Sequence, residues 1–163
     1  MNVAETARGA LVCLDPGDVR IGLAIRPFGT NLALGRPALP AGPALGKQLR
    51  QIVEELDAVA ILVGLPLHLR GVQGAAVDKA VTFARQVQQA CNRPVLLVDE
   101  RLSSVQAQQA LRAAGRKTRG PRSPRGPRGT RGDIDSASAI IVLQGYLDGI
   151  RAIPLDEFDS TQT

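Results

Sequence analysis

A chain of 163 residues is long enough for one domain with a buried core, which Ala, Val, Leu and Ile must fill because aromatic residues make up only 2%. No segment reaches the roughly 18 consecutive apolar residues of a membrane span and no signal-peptide pattern opens the chain, which predicts a cytoplasmic protein with no membrane contact. The net charge is +5, from 20 basic and 15 acidic residues, but eight basic and no acidic residues lie between Arg112 and Arg131, so the remainder carries a net −3.

The first third of the chain predicts two paired strands and an edge strand. An apolar run over Ala10–Asp15, a turn at residues 16–18 and a second strand over Arg20–Pro27 indicate a hairpin. Residues 30–40, which are bounded by Gly and Pro, can hold a third strand at the sheet edge. Apolar residues then recur at helical spacing from residue 45 to residue 56.

Alternating strands and helices follow. Residues 58–64 and 94–99 predict buried strands, with a helix between them over residues 76–87. A third helix is expected after the cap residues Ser103 or Ser104, and a last helix over residues 134–147. This order predicts an α/β fold whose mixed sheet has antiparallel first strands and then parallel strands, flanked by helices. Cys13 and Cys91 lie in apolar or helical patterns and are expected to be reduced, buried thiols.

The basic segment before the last helix is rich in Arg, Gly and Pro, so residues 116–132 predict a mobile loop. Its composition is typical of segments that contact nucleic acid without reading sequence, and a solvated linker is the alternative. Its candidate nucleic-acid contacts are Arg116, Lys117, Arg119, Arg122, Arg125, Arg128 and Arg131. We expect a single domain over residues 1–153, which includes this loop, and a flexible tail over residues 154–163.

Acidic residues stand where the predicted strands end and the last helix begins. Asp15 ends the first strand, Asp99 and Glu100 end the strand before the third helix, and Asp133 and Asp135 open the last helix. Carboxyl ends of neighbouring strands meet at one edge of an α/β sheet, and carboxylates that converge there need a cation between them. Mg²⁺ or Mn²⁺ suits such ligands and can promote phosphodiester cleavage. Taken alone, each acid is more often a helix cap or a surface charge.

Four sequence blocks occur in an order that matches a known family. They are LDPGDVRIGLAI, ILVGLPLHLRGVQGAAVDKAVTFARQV, VDERLSSVQAQQAL and DIDSASAIIVLQGYLD. Over roughly residues 10–150 the chain resembles the YqgF/RuvX family of bacterial RNase H-like proteins, described as pre-16S rRNA nucleases or Holliday junction resolvases. The resemblance implies an RNase H-like fold and Mg²⁺- or Mn²⁺-dependent phosphodiester cleavage. It implies that Asp15, Glu100 and Asp135 are the catalytic residues and metal ligands, with Asp99 as the alternative to Glu100.

The blocks also contain basic residues that are candidates for contacting nucleic acid. These are Arg20, Arg70 and Arg101. Because adjacent residues of a strand face opposite sides, only one of Asp99 and Glu100 should face the metal, and Glu100 is favoured. The chain departs from the family pattern where Val19 replaces the usual lysine and residues 26–27 replace a serine-aspartate pair. Ser138 interrupts the usual paired alanines of the last block.

The favoured function is a metal-dependent nuclease that acts on structured nucleic acid, in the maturation of the pre-16S rRNA 5′ end during ribosome biogenesis. Resolution of Holliday junctions is the alternative substrate choice, and a resolvase would be expected to work as a symmetric dimer. A non-catalytic RNA-binding assembly factor is the alternative from another class. An RNase H-like ATP-binding fold is disfavoured by the short first hairpin and the lack of a second domain. The expected partners are pre-rRNA or branched DNA and ribosomal particles, with the chain a monomer or homodimer.

Overall fold

A mixed β-sheet forms the centre of the computed structural model, which describes residues 8–66, 74–99 and 136–160. The strands are β1 (Ala10–Pro16), β2 (Arg20–Arg26), β3 (Leu34–Pro40), β4 (Ala58–Leu65), β5 (Val95–Asp99) and β6 (Ala152–Pro154). The helices within these ranges are α1 (Leu45–Glu55), α2 (Ala75–Cys91), α3 (Ala137–Leu147) and α4 (Leu155–Ser160). None of these helices is long and apolar enough to cross a membrane.

The strand order is β3-β2-β1-β4-β5-β6. β2 lies antiparallel between β1 and β3, which confirms the predicted hairpin and the edge strand. β1, β4 and β5 are parallel, so their carboxyl ends meet at the same edge of the sheet. The predicted mixed sheet, antiparallel first and parallel later, is therefore confirmed.

The two faces of the sheet bury different side chains of the same strands. In β1, Val12 and Leu14 pack with the core beneath α1 and α2, whereas Leu11 and Cys13 pack with the core beneath α3. This division follows from the alternation of side chains along a strand. Because both faces are covered, the central strands are continuous apolar runs. Cys13 and Cys91 are buried cysteines that are not disulfide-bonded, as predicted.

The end of the chain differs from the predicted flexible tail. β6 pairs antiparallel with β5, and α4 follows it directly, with Leu155 only 2% exposed in the core beneath α1 and α2. Phe158 packs against the same core. These apolar side chains lie among acidic residues, so the end of the chain is polar on average although it forms a short amphipathic helix. The predicted third helix and the basic loop lie outside the described residues.

Candidate active site

Asp15 is held near the carboxyl end of β1 by a tight turn into β2. The amide of Gly17 donates a hydrogen bond to the carbonyl oxygen of Arg20 at 3.0 Å. A β-carbon at position 17 would lie 2.5 Å from that same oxygen, so the turn requires glycine. The turn brings Asp15 and Arg20 to the walls of one cavity of about 470 Å³, together with Val19 and Ser138.

The register of β1 directs Asp15 to the α3 face of the sheet. Leu11 and Cys13 pack beneath α3, and Asp15 continues this alternation. The side chain of Asp15 shares a hydrogen bond with Ser138 in the first turn of α3. Burial raises the pKa of Asp15 above its ordinary value of 3.8, and the hydrogen bond with Ser138 lowers this pKa by less. The carboxylate is therefore partly desolvated and would gain from a neighbouring cation.

Ser136 fixes the start of α3 against β2 and β3. Its hydroxyl accepts a hydrogen bond from the amide of Leu23 at 3.4 Å and donates one to the carbonyl of Arg36. Leu23 and Arg36 are paired residues of these two strands, next to a shift in their register. The buried hydroxyl thus bridges two backbone groups of neighbouring strands. A β-carbon on Gly35 would lie 2.8 Å from Ile140, so glycine also permits the close approach of α3.

Asp99 lies at the same edge of the sheet as Asp15 but belongs to the opposite face. Val95 and Leu97 pack beneath α1 and α2, and Leu96 and Val98 pack beneath α3, so the alternation of β5 assigns Asp99 to the α1 and α2 side. β4 separates β1 from β5, which puts the two strands about 10 Å apart. The structure therefore does not bring Asp99 together with Asp15.

A second cavity, of about 520 Å³, begins at Asp15 and extends along the α2 side of the sheet. Asp18 and Gly17 line it as well as the first cavity, so the two cavities meet at the hairpin turn. Lys79 of α2 also lines the second cavity, and its Nζ lies 4.0 Å from Oδ1 of Asp18. Asp15 thus lies where two cavities join.

A family model described as RuvX, Holliday junction resolvase, matches residues 9–149. The chain belongs to the RuvX family. A relative from Clavibacter michiganensis subsp. michiganensis, named "Putative pre-16S rRNA nuclease", is 40% identical over 88% of this chain and 86% of its own length. A relative of the same name from Rhodococcus erythropolis is 38% identical over 90% of this chain and 81% of its own length.

Solved structures agree with this assignment at the level of the fold. T. thermophilus RuvC, solved in complex with a Holliday junction substrate, matches with a TM-score of 0.54 and 18% sequence identity. The match covers 90% of this chain and 99% of RuvC. A separate RuvC structure from Thermus thermophilus matches with a TM-score of 0.51. The RNase H-like fold predicted from the four sequence blocks is confirmed.

Several predicted site residues of this RuvX-family chain lie outside the described residues. They are Glu100, Asp135, Arg70, Arg101 and the seven basic residues from Arg116 to Arg131. Within the described ranges, no three His, Cys, Asp or Glu side chains form a group that could hold a metal ion. Of the predicted site residues, the structure brings Asp15 and Arg20 together and separates Asp99 from them.

The departures from the RuvX family pattern fall at different distances from Asp15. Val19 is 76% exposed at the hairpin turn and lines the cavity that contains Asp15. Arg26 lies at the other end of β2, where it is 2% exposed and donates hydrogen bonds to the carbonyl oxygens of Gly9 and Thr30. A larger cavity of about 760 Å³ opens there, beside the carboxyl end of α3. The Arg26 change is thus remote from the candidate active site, and the Val19 change lies within it.

Sequence reasoning missed Ser136 and Lys79 and identified Ser138 only as a departure from the RuvX pattern. The available signal for Ser138 was its position in the first turn of the last helix, directly after the acids that open that helix. No comparable signal marked Lys79, since an isolated lysine on a helix is usually a solvated surface charge. Its position beside Asp18 depends on how α2 packs against the hairpin.

Proposed function

We propose that this RuvX-family chain is a divalent-metal-dependent nuclease that hydrolyses phosphodiester bonds of structured nucleic acid, with precursor 16S rRNA as its substrate. The observation that carries the proposal is Asp15, a partly buried carboxylate that lines a cavity with Arg20 at the carboxyl edge of the parallel strands. Ligands bind at this edge in open α/β sheets. The names of the two relatives support rRNA as the substrate.

The carboxylate of Asp15 suits a hard divalent cation. A carboxylate whose pKa is raised by burial is an oxygen ligand whose charge is poorly solvated, and Mg²⁺ or Mn²⁺ would neutralise it. Asp15, Glu100 and Asp135 are the proposed ligands, and the assignment of Asp99 to the opposite face favours Glu100 over it. When bound, such an ion activates water and stabilises charge on the leaving oxygen.

The protein groups of the site have separate roles in this proposal. Asp15 binds the cation, and Ser138 holds the carboxylate through their hydrogen bond. Arg20 neutralises phosphate charge in the same cavity. Water adds to phosphorus and gives up one proton, the bond from phosphorus to the leaving oxygen breaks, and the leaving oxygen takes up one proton, so that the elements of water are divided between the two products. Catalysis then depends chiefly on electrostatic positioning.

The deciding experiment is cleavage of a precursor 16S rRNA fragment by wild type and Asp15→Asn in Mg²⁺ and in Mn²⁺. We expect Asp15→Asn to lower the rate by about 100-fold or more, because a charged ligand of the cation is lost, while RNA binding is retained. Asp78→Asn is the matched control, because Asp78 is an exposed acid of α2 that lines neither cavity at Asp15. Wild-type cleavage by Asp15→Asn would favour the non-catalytic assembly factor.

A second candidate function is the resolution of four-way DNA junctions, which the description of the family model favours. The chemistry is the same and the substrate differs. A resolvase that cuts two strands symmetrically is expected to bind the junction as a dimer. Sedimentation of the chain with a four-way junction, with cleavage of that junction beside the rRNA fragment, separates the two. A monomer on the junction, without cleavage, would contradict the resolvase.

A further inference from the structure

The cavity on the α2 side of Asp15 has the size and lining of a site for one nucleotide. Its volume of about 520 Å³ lies within the range of small-molecule sites. Ile21, Leu45 and Phe83 supply apolar wall, and Gln86 and Lys79 supply polar groups. The base of a nucleotide has apolar faces and polar edges, and its phosphate is an anion. The apolar wall therefore suits the faces of the base, and the polar groups suit its edges and the phosphate. We call this space the α2 groove.

Lys79 contributes little to the stability of the fold, so its ammonium group is available to bind phosphate. Its side chain is 78% exposed, and that of Asp18, 4.0 Å away, is 95% exposed. Exposed pairs of this kind contribute little to stability, because water screens both charges. Lys79 can therefore exchange Asp18 for a phosphate at little cost to the fold. An ammonium group suits this exchange, since it binds phosphate as a point charge from many directions.

The backbone around the α2 groove leaves room for a ligand. Gly42 lines the groove, and a β-carbon built on it would meet no atom within 4 Å. Its φ of +152° lies in the region that favours glycine. The groove shares Asp15, Gly17 and Asp18 with the cavity that contains Ser138. A nucleic-acid strand that has one phosphodiester at Asp15 can therefore put its neighbouring nucleotide into the groove.

We propose that the α2 groove binds the unpaired nucleotide next to the phosphodiester at Asp15, with Lys79 contacting that nucleotide's phosphate. The inference rests on the proposed function, because it takes the reacting phosphodiester to be at Asp15. A groove of this volume has room for one nucleotide, and a base inserted against its apolar wall has left its base pair. The substrate class is accordingly a single-stranded segment beside structured nucleic acid, such as the end of a precursor RNA.

The test is the binding of a fluorescein-labelled single-stranded RNA hexanucleotide to the full chain in EDTA, measured by anisotropy over a series of salt concentrations. We expect Lys79→Gln to weaken binding several-fold and to reduce the slope of log K against log salt by about 0.7, the value for one phosphate contact on a single strand. Lys47→Gln is the control, because Lys47 is an exposed lysine of α1 that does not line the groove. It should leave affinity and slope unchanged.

A second pair of variants tests the groove itself. Ala76 is exposed and lines the groove, whereas its neighbour Ala75 is exposed and does not. Ala76→Trp should fill the groove and weaken hexanucleotide binding, and Ala75→Trp should bind as wild type does. The proposal is overturned if Lys79→Gln keeps the wild-type affinity and slope, or if Lys47→Gln loses as much as Lys79→Gln.

These measurements are independent of the cleavage assay, since EDTA removes the metal. Loss of cleavage in Asp15→Asn together with wild-type hexanucleotide binding by Lys79→Gln and Ala76→Trp would reject the groove alone. Wild-type cleavage by Asp15→Asn would reject the proposed function, whatever the binding data show. Should Ala76→Trp fail to fold, Lys79→Gln still decides, because Lys79 is a surface residue.

Discussion

Asp15 combines two properties that oppose each other in the metal-free protein. Its position at the edge of the sheet exposes it to a cavity, yet burial is the larger influence on its pKa and raises it. A carboxyl whose folded-state pKa is raised is destabilised when ionised, relative to the unfolded chain. The residue proposed to hold the cation therefore lowers the stability of the protein at neutral pH when the cation is absent.

The pH dependence of unfolding in EDTA tests this directly. Below the ordinary pKa of 3.8, Asp15 is protonated in both states and its contribution to stability is intact. That contribution is lost as the pH rises through the raised folded-state pKa. We expect Asp15→Asn, which cannot ionise, to be more stable than wild type at pH 7, with the difference in free energy of unfolding shrinking as the pH falls. Urea unfolding between pH 3.5 and pH 8 measures this difference.

Two further measurements test whether the pH dependence comes from Asp15. Ser138→Ala removes the hydrogen bond that lowers the pKa of Asp15, so it should raise this pKa further and extend the pH range of the effect. Adding Mg²⁺ or Mn²⁺ at pH 7 should stabilise wild type and not Asp15→Asn, because only a state that binds the ion gains from it. If Asp15→Asn and wild type differ in free energy of unfolding by the same amount at every pH, burial of the Asp15 carboxyl is not the cause of the difference.

At the scale of elements, two polar side chains that lie eight residues apart hold α3 against β2, β3 and the segment between them. Ser136 bridges the backbones of β2 and β3 at the start of the helix. Two turns later, Gln144 accepts a hydrogen bond from the amide of Ala33 at 3.1 Å and reaches the carbonyl of Asn31 with its own amide. These contacts set the position of Ser138, and through it the orientation of the Asp15 carboxylate.

Ser136→Ala should therefore lower the free energy of unfolding and also make the position of Ser138 beside Asp15 less fixed. It leaves the amide of Leu23 and the carbonyl of Arg36 without their bridging hydroxyl, and an unsatisfied buried group such as the Leu23 amide costs about 1–3 kcal/mol. We expect a loss of about 2 kcal/mol in urea unfolding and faster hydrogen exchange at Leu23. At pH 3.5, where Asp15 is protonated and the hydrogen bond to its carboxylate does not contribute, Ser138→Ala removes only an exposed hydroxyl and should stay within about 0.5 kcal/mol of wild type. Equal losses in the two variants would contradict a specific bridging role.

The elements that the sequence predicted correctly are those with strong local signals. The hairpin has a glycine turn between apolar runs, and α2 is followed by Asn92, whose left-handed conformation suits asparagine and ends the helix at Cys91. β6 has only three residues, and its strand character comes from pairing with β5 rather than from its own pattern. α4 is six residues long and depends on the burial of Leu155, which becomes visible only when the sheet is assembled.

The sequence predicted which types of residue form the candidate site, but not which face of the sheet each side chain occupies or which residues are in contact. Acids at strand ends were visible in the sequence, and alternation already implied that Asp99 and Glu100 face opposite sides. Assigning Asp99 to the α1 and α2 side needed the register of β5 against β4, which depends on packing between strands that are distant in sequence. The contact of Asp15 with Ser138 joins residues 123 positions apart, and no local pattern encodes it.

At the scale of the whole molecule, positive charge is concentrated in one segment outside the described residues. Residues 116–132 carry seven of the 20 basic residues and no acid, so removing them leaves 13 basic and 15 acidic residues, a net −2. The remaining chain would then repel a polyanion at long range, apart from local contacts such as Arg20. The bulk of the nonspecific affinity for nucleic acid should therefore reside in this segment.

A length-matched variant in which Arg116, Lys117, Arg119, Arg122, Arg125, Arg128 and Arg131 are replaced by glutamine isolates that charge. We expect it to bind a precursor 16S rRNA fragment more weakly and to lower the slope of log K against log salt by several units, because each phosphate that is no longer neutralised removes about 0.7–0.9 from the slope. Cleavage at saturating RNA should persist, since Asp15 and Arg20 are unchanged. An unchanged slope would mean that the segment is a solvated linker, and loss of cleavage at saturation would mean that it also takes part in the active site.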